Sequence, residues 1–298
     1  MDKVKITFLG TGDSIPTKTR NHSSILLSYK EENILIDCGE GTQRQFRIAS
    51  LNPCKLTTIL ITHWHGDHTL GLPGLLQTLA MGNYQKKLKI YGPKGTKNYL
   101  EILKKLYPIT IPLEIYEVSN KKIIESPDFI IETKAMNHTK PANAYSFILK
   151  DKIRLDKQKL KKYHLPNSKL LQKLKEGLPI VFNKKTIKSS QVSYTEKGKK
   201  ITFILDTIIN ENAVSLAKNS DILIIESTFL PQEKALAIEH KHLTINDSTL
   251  IAKKAKVKRL ILTHVSQRYE HKLHHVEEEA KKLFPHVSLA KDFETIEI

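Results

Sequence analysis

Short apolar runs alternate along the chain with longer amphipathic stretches, without an internal repeat or a low-complexity tract. Short apolar runs are typical of strands, and apolar positions spaced by three and four are typical of helices. The pattern therefore predicts a mixed α/β (α+β) fold. The predicted strands are Val4–Leu9, Ser24–Tyr29, Asn33–Ile36, Thr58–Ile61, Leu88–Tyr91, Leu113–Val118, Phe129–Ala135, Ala144–Leu149, Lys200–Leu205, Asp221–Ile225, Lys258–Leu262 and Glu294–Ile298. The predicted helices are Gly41–Ala49, Leu72–Met81, Thr96–Lys105, Glu211–Lys218, Ile245–Ala255 and Lys272–Phe284.

The composition indicates the class of partner and the cellular compartment of the protein. The 298 residues include 48 Lys and Arg against 31 Asp and Glu, which gives a formal net charge of +17. Such an excess favours an anionic partner, and nucleic acid is favoured over an anionic membrane surface. No apolar run approaches the ~20 residues that a membrane span needs, and the first residues do not resemble a signal peptide. Two cysteines, Cys38 and Cys54, cannot form a disulfide scaffold, so we expect a cytoplasmic protein.

One segment is unusually basic. Between Lys150 and Glu176 the chain carries ten Lys or Arg residues against three acidic ones, with few leucines. We expect an inserted basic arm over residues 150–182 that projects from a single domain spanning residues 1–298. A solvated pair of surface helices is the alternative, because charge runs commonly form such surfaces.

The most distinctive chemistry lies in six residues, His-Trp-His-Gly-Asp-His, which begin at His63 and end at His68. The offsets do not suit one face of a helix, so the motif predicts a loop that turns at Gly66. Imidazole nitrogens combined with a carboxylate oxygen form a ligand set typical of zinc.

Four predicted strands also end at a residue that can bind a metal: His63, His138, Asp206 and His264. The carboxyl ends of strands are where α/β folds gather functional residues. With the rest of the motif there are seven potential ligands, which is too many for one tetrahedral ion. Two ions bridged by a carboxylate would use all of them, and such pairs catalyse phosphoryl transfer. The seven are His63, His65, Asp67, His68, His138, Asp206 and His264.

The surrounding motifs resemble a known family over nearly the whole chain, from Phe8 to Asp292. The stretches FLGTGDSIPTKTRN, LIDCGEGTQRQF, ITHWHGDHTLGLPGLL, YGPKG and LTHVSQRY resemble the short form of tRNase Z (ribonuclease Z), in the metallo-β-lactamase superfamily. The resemblance implies an αβ/βα four-layer sandwich with the metals at one edge. It also implies a homodimer in which the arm of one subunit serves the other subunit's site.

The resemblance assigns the metal ligands. It implies that His63, His65 and His138 bind one Zn²⁺ and that Asp206 is shared between two. It implies that the second Zn²⁺ binds Asp67, His68 and His264. It further implies that Asp67 accepts a proton from the attacking water, although a metal-bound carboxylate is a weak base and can instead orient the water. Asp37 is expected to orient the ligand histidines through hydrogen bonds.

The resemblance also implies a proton donor for the leaving group. Glu226 and His242 match the family's acidic residue and histidine, and a histidine held by a glutamate can protonate a departing sugar oxygen. Five positions depart from the family pattern: Ile225, Leu243 and Leu205, and in the arm Asn167 and Ser168, where many members have Gly-Pro. Trp64 is an unusually bulky residue within the histidine motif.

Five further residues are expected to bind substrate. Lys18, Arg20 and Asn21 match the family loop that handles the tRNA 3′ end, and Lys18 and Arg20 can pair with phosphate. Ser266 and Arg268 follow a predicted ligand closely and can hold a phosphate near the cut. The basic arm lies where the family carries an exosite for tRNA.

The sequence is compatible with three functions. The favoured one is a zinc-dependent endoribonuclease that removes the 3′ trailer of tRNA precursors after the discriminator nucleotide, leaving a 3′-hydroxyl on the tRNA and a 5′-phosphate on the trailer. A small-molecule phosphodiesterase or other hydrolase of the same superfamily is the second, and a non-catalytic RNA-binding or zinc-sensing protein is the third. The basic arm favours RNA, because a small substrate has no use for it.

Overall fold

The computed structural model describes residues 3–298. Its strands are β1 (Lys5–Gly10), β2 (Ser24–Tyr29), β3 (Glu32–Ile36), β4 (Thr58–Leu60), β5 (Leu88–Gly92), β6 (Leu113–Glu117), β7 (Lys121–Glu125), β8 (Phe129–Met136), β9 (Ala142–Leu149), β10 (Lys152–Leu155), β11 (Ile180–Phe182), β12 (Lys185–Ile187), β13 (Ser193–Glu196), β14 (Lys200–Ile204), β15 (Ile222–Glu226), β16 (Arg259–Thr263), β17 (Val287–Leu289) and β18 (Thr295–Glu297). Its α-helices are α1 (Thr42–Ile48), α2 (Gly66–Thr69), α3 (Leu72–Met81), α4 (Thr96–Leu106), α5 (Lys157–Lys162), α6 (Leu170–Lys175), α7 (Ser189–Val192), α8 (Glu211–Ala217), α9 (Lys234–His240), α10 (Ile245–Lys254) and α11 (Leu273–Leu283).

Two seven-stranded mixed sheets form the larger of two compact units. The first has the order β18-β1-β2-β3-β4-β5-β6, and the second has the order β17-β16-β15-β14-β9-β8-β7. Strands β3 to β6 are parallel, as are β14 to β17. Parallel neighbours need crossover connections, which helices such as α3, α4, α8 and α11 provide. The carboxyl ends of the parallel strands in each sheet therefore lie at one edge.

The sheets meet through buried side chains and direct hydrogen bonds. The hydroxyl of the fully buried Tyr145 in β9 donates to the carbonyl of Ile61, 2.7 Å away. The Asn143 N–H donates to the carbonyl of Thr62 at 2.8 Å. Separate apolar clusters pack α3 and α4 on the first sheet and α8, α10 and α11 on the second. The predicted four-layer fold class is thereby confirmed.

Helix α10 shows why the longer elements are predictable from sequence. The Thr244 hydroxyl caps the Asp247 N–H, and the Asp247 carboxylate accepts from the Thr244 N–H. This capping box satisfies backbone groups at the start of the helix. Ile245, Ile251 and Ala252 then place one apolar face on the core.

The elements that the sequence pattern missed are short or exposed. The edge strand β7 reads Lys-Lys-Ile-Ile-Glu, without alternation between apolar and polar positions. β17 has three residues, and α2 is a single turn inside the predicted His63–His68 loop. Tertiary packing, more than local pattern, stabilises such elements. In residues 3–298 no helix has the length and apolar character needed to cross a bilayer.

The second compact unit consists of residues 126–130 and 148–199. The predicted arm, 150–182, lies within it, but the unit continues to Lys199 because β13 pairs with β10, with Arg154 opposite Tyr194. The sequence pattern predicts little apolar burial here. The unit nevertheless has its own small core, to which Leu174 and Val192 contribute fully buried side chains.

Replacing Tyr145 with Phe tests the contact between the sheets. The change leaves the Ile61 carbonyl without its buried donor, and we expect the free energy of unfolding to fall by about 1–3 kcal/mol. Urea denaturation measures this free energy of unfolding. The control Tyr107→Phe alters a side chain that is 42% exposed, and its effect should stay within about 0.5 kcal/mol. Equal stability of the two variants would contradict the assigned contact.

Candidate metal centre and active site

The predicted strand ends converge at the edge shared by the two sheets. His63 follows β4, His138 follows β8, Asp206 follows β14 and His264 follows β16. Two of these, Asp206 with φ of 24° and His264 with φ of 55°, have left-handed backbone conformations. Asp37, directly after β3, has φ of 57°. Such conformations are uncommon outside glycine and cluster at functional sites, where the surrounding structure enforces them.

The histidine motif is half extended and half helical. His65 has extended backbone angles and acts as the N-cap residue of α2. The His68 N–H and the Thr69 hydroxyl both donate to the carbonyl of His65. Asp67 and His68 lie in this turn and belong to a different group from His63 and His65, so that one short motif supplies residues to two groups.

The first group contains His63, His65, His138 and Asp206, whose potential ligand atoms lie within 4.8 Å of one another. His65 Nδ1 is 2.9 Å from His63 Nε2 and 3.2 Å from His138 Nε2. Asp206 Oδ2 is 3.4 Å from His63 Nε2 and 3.8 Å from His138 Nε2.

The second group contains Asp67, His68, Asp206 and His264. Asp67 Oδ2 lies 3.3 Å from Nε2 of both His68 and His264. Asp206 Oδ2 lies 3.4 Å from His68 Nε2, and Asp206 Oδ1 lies 3.3 Å from His264 Nε2. The structure thus brings all seven predicted ligands together and places Asp206 in both groups.

The electrostatics of the cluster favour a bound cation. Burial lowers the pKa of His63 and His138, and it lowers the pKa of His65 to about 4, so these rings are neutral at pH 7. Burial opposes charge on His68 and His264 too, but neighbouring carboxylates, first among them Asp206, raise their pKa.

The buried carboxylate of Asp206 is a further indication that the cluster suits a cation. Asp206 is almost fully buried, and its Oδ1 makes no hydrogen bond among the described residues. Buried carboxylates ordinarily have a charged or hydrogen-bonding partner. Nitrogen and oxygen donors that converge around such an atom fit a divalent metal ion.

Asp37 lies where it was expected to orient the ligands. Its buried Oδ2 accepts from His68 Nδ1 and from the Thr62 hydroxyl, each at 2.7 Å, and its Oδ1 accepts from the Thr62 N–H. The Thr62 oxygen in turn lies 3.1 Å from His63 Nδ1 and can accept its proton. These contacts leave Nε2 of His63 and His68 free to act as ligands.

Similar contacts fix the other rings. His138 Nδ1 donates to the carbonyl of Lys241 at 3.0 Å, and His65 Nε2 lies 3.2 Å from the Thr139 hydroxyl. All five imidazoles in the two groups therefore direct one nitrogen inward and hydrogen-bond the other.

Glu226 is fully buried and connects His242 to the metal ligands. Its carboxylate lies 3.1 Å from His242 Nδ1 and accepts from the Thr228 hydroxyl at 2.6 Å. The Thr228 oxygen also accepts from His264 Nδ1 at 2.9 Å. Burial alone would lower the pKa of His242, but Glu226 and Asp206 raise it to about 9. The raised pKa favours the protonated ring, which is the form that can donate a proton.

A pocket of about 520 Å³ opens onto both groups. Ser266 and Arg268, two of the residues expected to bind substrate, line it. The Arg268 guanidinium lies over the Phe229 ring and pairs with Glu233 at 2.8 Å. The other lining residues are Asp13, Ser14, Ile15, His65, Gly66, Asp67, His138, Thr139, Asp206, Thr228, Phe229, His240, His242, His264 and Gln267.

The structure does not bring Lys18, Arg20 or Asn21 to the lining of this pocket. Lys18 is exposed. Arg20 is buried, and its Nη1 donates to the Thr11 hydroxyl and to the carbonyl of Ala290. The Asn21 amide donates to the carbonyl of Glu40. Arg20 thus stabilises the loop instead of contacting the pocket, because it is held by residues distant in sequence.

Three supporting residues were not anticipated: Thr62, Thr139 and Thr228. Threonine is common at strand ends, so no sequence signal distinguishes these positions. Thr62 and Thr139 each adjoin a predicted ligand, and that adjacency was the available clue. Thr228 lies two residues after Glu226 and links it to His264 only because β15 and β16 are neighbours.

Comparisons with known proteins agree with this geometry. Residues 4–174, more than half of the chain, match the family described as Anti-Pycsar protein Apyc1. Ribonuclease Z of Nanoarchaeum equitans is 43% identical over 89% of this chain and 84% of its own length. Ribonuclease Z of Methanothermobacter thermautotrophicus is 35% identical over 99% of this chain and 97% of its own. The crystal structure of the short form of human tRNase Z (ELAC1) has a TM-score of 0.69 at 26% identity, covering 98% of both chains.

Replacing Asp37 with Asn tests the orientation of the ligands. The change keeps the shape of the side chain but removes the charge that holds the His68 Nδ1 proton, and we expect metal affinity to fall about 10–100-fold. Competition with a metal-binding dye measures the affinity. Asp151→Asn, a partly exposed carboxylate of the second unit, is the control. Equal affinities for the wild type and both variants would show that Asp37 does not hold the site.

Proposed function

The chain belongs to the ribonuclease Z family of metal-dependent endoribonucleases, and on that premise we propose that it removes the 3′ trailer from tRNA precursors. The cut falls after the discriminator nucleotide and leaves a 3′-hydroxyl on the tRNA and a 5′-phosphate on the trailer. The observation that carries the proposal is the pair of ligand groups sharing Asp206, in a chain whose likeness to ribonuclease Z extends over nearly its whole length.

The metal we propose is zinc, two ions per subunit. His63, His65 and His138 would hold one ion, Asp67, His68 and His264 would hold the other, and Asp206 would contact both. Imidazole with carboxylate is a donor set that suits zinc. When bound, such a pair activates water at neutral pH and offsets the charge of the transferring phosphoryl group.

Two of the chain's own groups act on protons. The Asp67 carboxylate lies at the pocket lining and orients the attacking water or accepts its proton. His242 Nε2 protonates the departing 3′-oxygen, while Glu226 holds the opposite ring nitrogen and keeps the imidazolium charged. Glu226 is thus a positioning residue for His242.

Substrate binding depends on positive charge in two places. Arg268 and Ser266 line the pocket and can contact a phosphate next to the cut. The second compact unit, which contains the predicted arm, would bind structured tRNA away from the cut through its lysines, as an exosite. Lys18 stays a proposed phosphate contact because it is exposed in the loop that precedes the buried Arg20.

The assembly and compartment we propose follow from the family and the thiols. A homodimer would let the basic unit of one subunit bind a tRNA cut by the other. Cys38 and Cys54 are both free thiols, which suits the reducing cytoplasm where tRNA precursors are processed.

A cleavage assay tests the activity. Purified protein with zinc should cut a tRNA precursor once, directly after the discriminator nucleotide, and a chelator should abolish the cut until zinc is restored. Asp67→Ala should lower kcat at least about 100-fold, because a proposed metal ligand and the contact that positions the attacking water are both lost. Mapping the 3′ end at single-nucleotide resolution measures the site.

The control for Asp67 is Glu278→Ala, which removes an exposed carboxylate in α11 and should cut as the wild type does. An intact precursor together with turnover of bis(p-nitrophenyl) phosphate would contradict the proposal. That result would favour the small-molecule phosphodiesterase instead.

The role of His242 can be separated from metal binding. His242→Ala should lower kcat about 10²–10⁴-fold while the bound metal and KM stay close to wild type. A precursor with sulfur in place of the departing 3′-oxygen should recover most of that loss, because a thiolate leaves without a proton. Single-turnover rates on the two substrates measure the recovery.

The sulfur substrate should not rescue Asp67→Ala, which acts on the attacking side of the reaction. If the defect of His242→Ala is the same on both substrates, His242 is not the proton donor. Glu226→Gln should lower kcat less, and the sulfur substrate should again recover the loss. The His242 ring is retained in this variant, and only the negative charge that stabilises its protonated form is lost.

A further inference from the structure

Trp64 lies between two potential ligands and has its own fixed neighbours. Its indole stacks on the Tyr99 ring in α4, with 4.7 Å between centroids and 19° between planes. Its Nε1 donates to the Thr96 hydroxyl at 2.8 Å. The indole is half-buried against the core cluster of the first sheet. Trp64 therefore connects the metal centre rigidly to the start of α4.

The start of α4 is itself held in place. One carboxylate oxygen of Glu117 accepts from the N–H groups of Gly95 and Lys97. The Tyr99 ring, one turn further along the helix, thus sits on a preorganised support. A rigid aromatic platform loses little conformational entropy when a ligand stacks on it.

The other side of Tyr99 faces solvent and a cation. Tyr99 is 37% exposed, and the ammonium of Lys140 lies 5.9 Å from its ring centroid. Thr139, next to Lys140, lines the active-site pocket and contacts His65. An exposed aromatic ring and an exposed positive charge therefore lie next to a residue of the pocket lining.

We propose that Tyr99 and Lys140 form a binding site for one unpaired nucleotide of the RNA substrate, on the trailer side of the cut. The base stacks on the exposed face of Tyr99, and Lys140 moves off the ring to contact the phosphate. This inference rests on the proposed function for the identity of the RNA. The trailer is favoured over the acceptor stem because bases paired within a helix do not offer their faces for stacking.

The chain supplies a reporter for this site, because Trp64 is its only tryptophan. Zinc-loaded protein is titrated with a single-stranded adenine hexaribonucleotide, or with the same hexamer lacking its bases. Stacking on Tyr99 should change Trp64 fluorescence in a saturable manner, and the abasic hexamer should not. Anisotropy of a labelled hexamer measures the affinity in parallel, because the tryptophan signal itself alters when Tyr99 is replaced.

Substitutions at Tyr99 and Lys140 test how much each side chain contributes to the affinity for the hexamers. The wild type should bind the adenine hexamer about 10-fold more tightly than the abasic one, and Tyr99→Ala should lose that preference. Tyr99→Phe should keep it, since the ring remains. Lys140→Ala should weaken both hexamers equally and reduce the salt dependence by about one phosphate contact. Tyr107→Ala, an exposed tyrosine just after the same helix, is the matched control and should bind as the wild type does.

Kinetics on a tRNA precursor then place the site on the trailer side. Tyr99→Ala should raise KM about 10-fold with kcat within about twofold, and an abasic first trailer nucleotide should remove the difference from wild type. If Tyr99→Ala keeps the full preference for bases and the wild-type KM, the site does not exist. If the wild type does not cut the precursor, but Tyr99→Ala abolishes the preference for bases that the wild type shows, the proposed function is wrong and the binding site is confirmed.

Discussion

The buried carboxylate of Asp206 is the constraint on which this structure depends. It lies 3.3–3.8 Å from ring nitrogens supplied by three different strand ends, and one of its oxygens makes no hydrogen bond in the described part of the chain. An uncompensated charge in such a place is costly, so the surroundings must supply positive charge. A divalent metal ion would do so with few groups. The edge between the sheets is therefore arranged around a cation, and the strained backbone at Asp206 is part of that arrangement.

The hydrogen bonds around the ligands explain how the arrangement is held. Each ligand imidazole turns one nitrogen toward the cluster and binds a threonine, a backbone carbonyl or Asp37 with the other. Glu226 does two things at once, since it steadies His264 through Thr228 and raises the pKa of His242. The metal centre and the proposed proton donor are thus parts of one network, whose supporting residues are buried and rigid.

Much of this site was predictable from particular residues. The four strand ends were recognisable because each is a mainly apolar run followed within three residues by a histidine or an aspartate. The role of Arg20 was not predictable in this way. Its motif suggested a phosphate contact, whereas its guanidinium binds the carbonyl of Ala290, 270 positions away. Local sequence does not indicate whether a long side chain points outward or is taken up by a distant neighbour.

The sequence by itself determined the identity and order of the residues that could bind a metal, the mixed fold and the excess of positive charge. These properties depend on short apolar runs, on motifs of adjacent residues and on composition, all of which can be read from the sequence without knowing the fold. Only the tertiary structure decided which nitrogen of each ring faces inward, that Arg20 is buried, and that Trp64 stacks on Tyr99. It also extended the basic unit to Lys199 through the pairing of β10 with β13. Such contacts join residues far apart in the chain, so they arise only when the sheets and helices are packed.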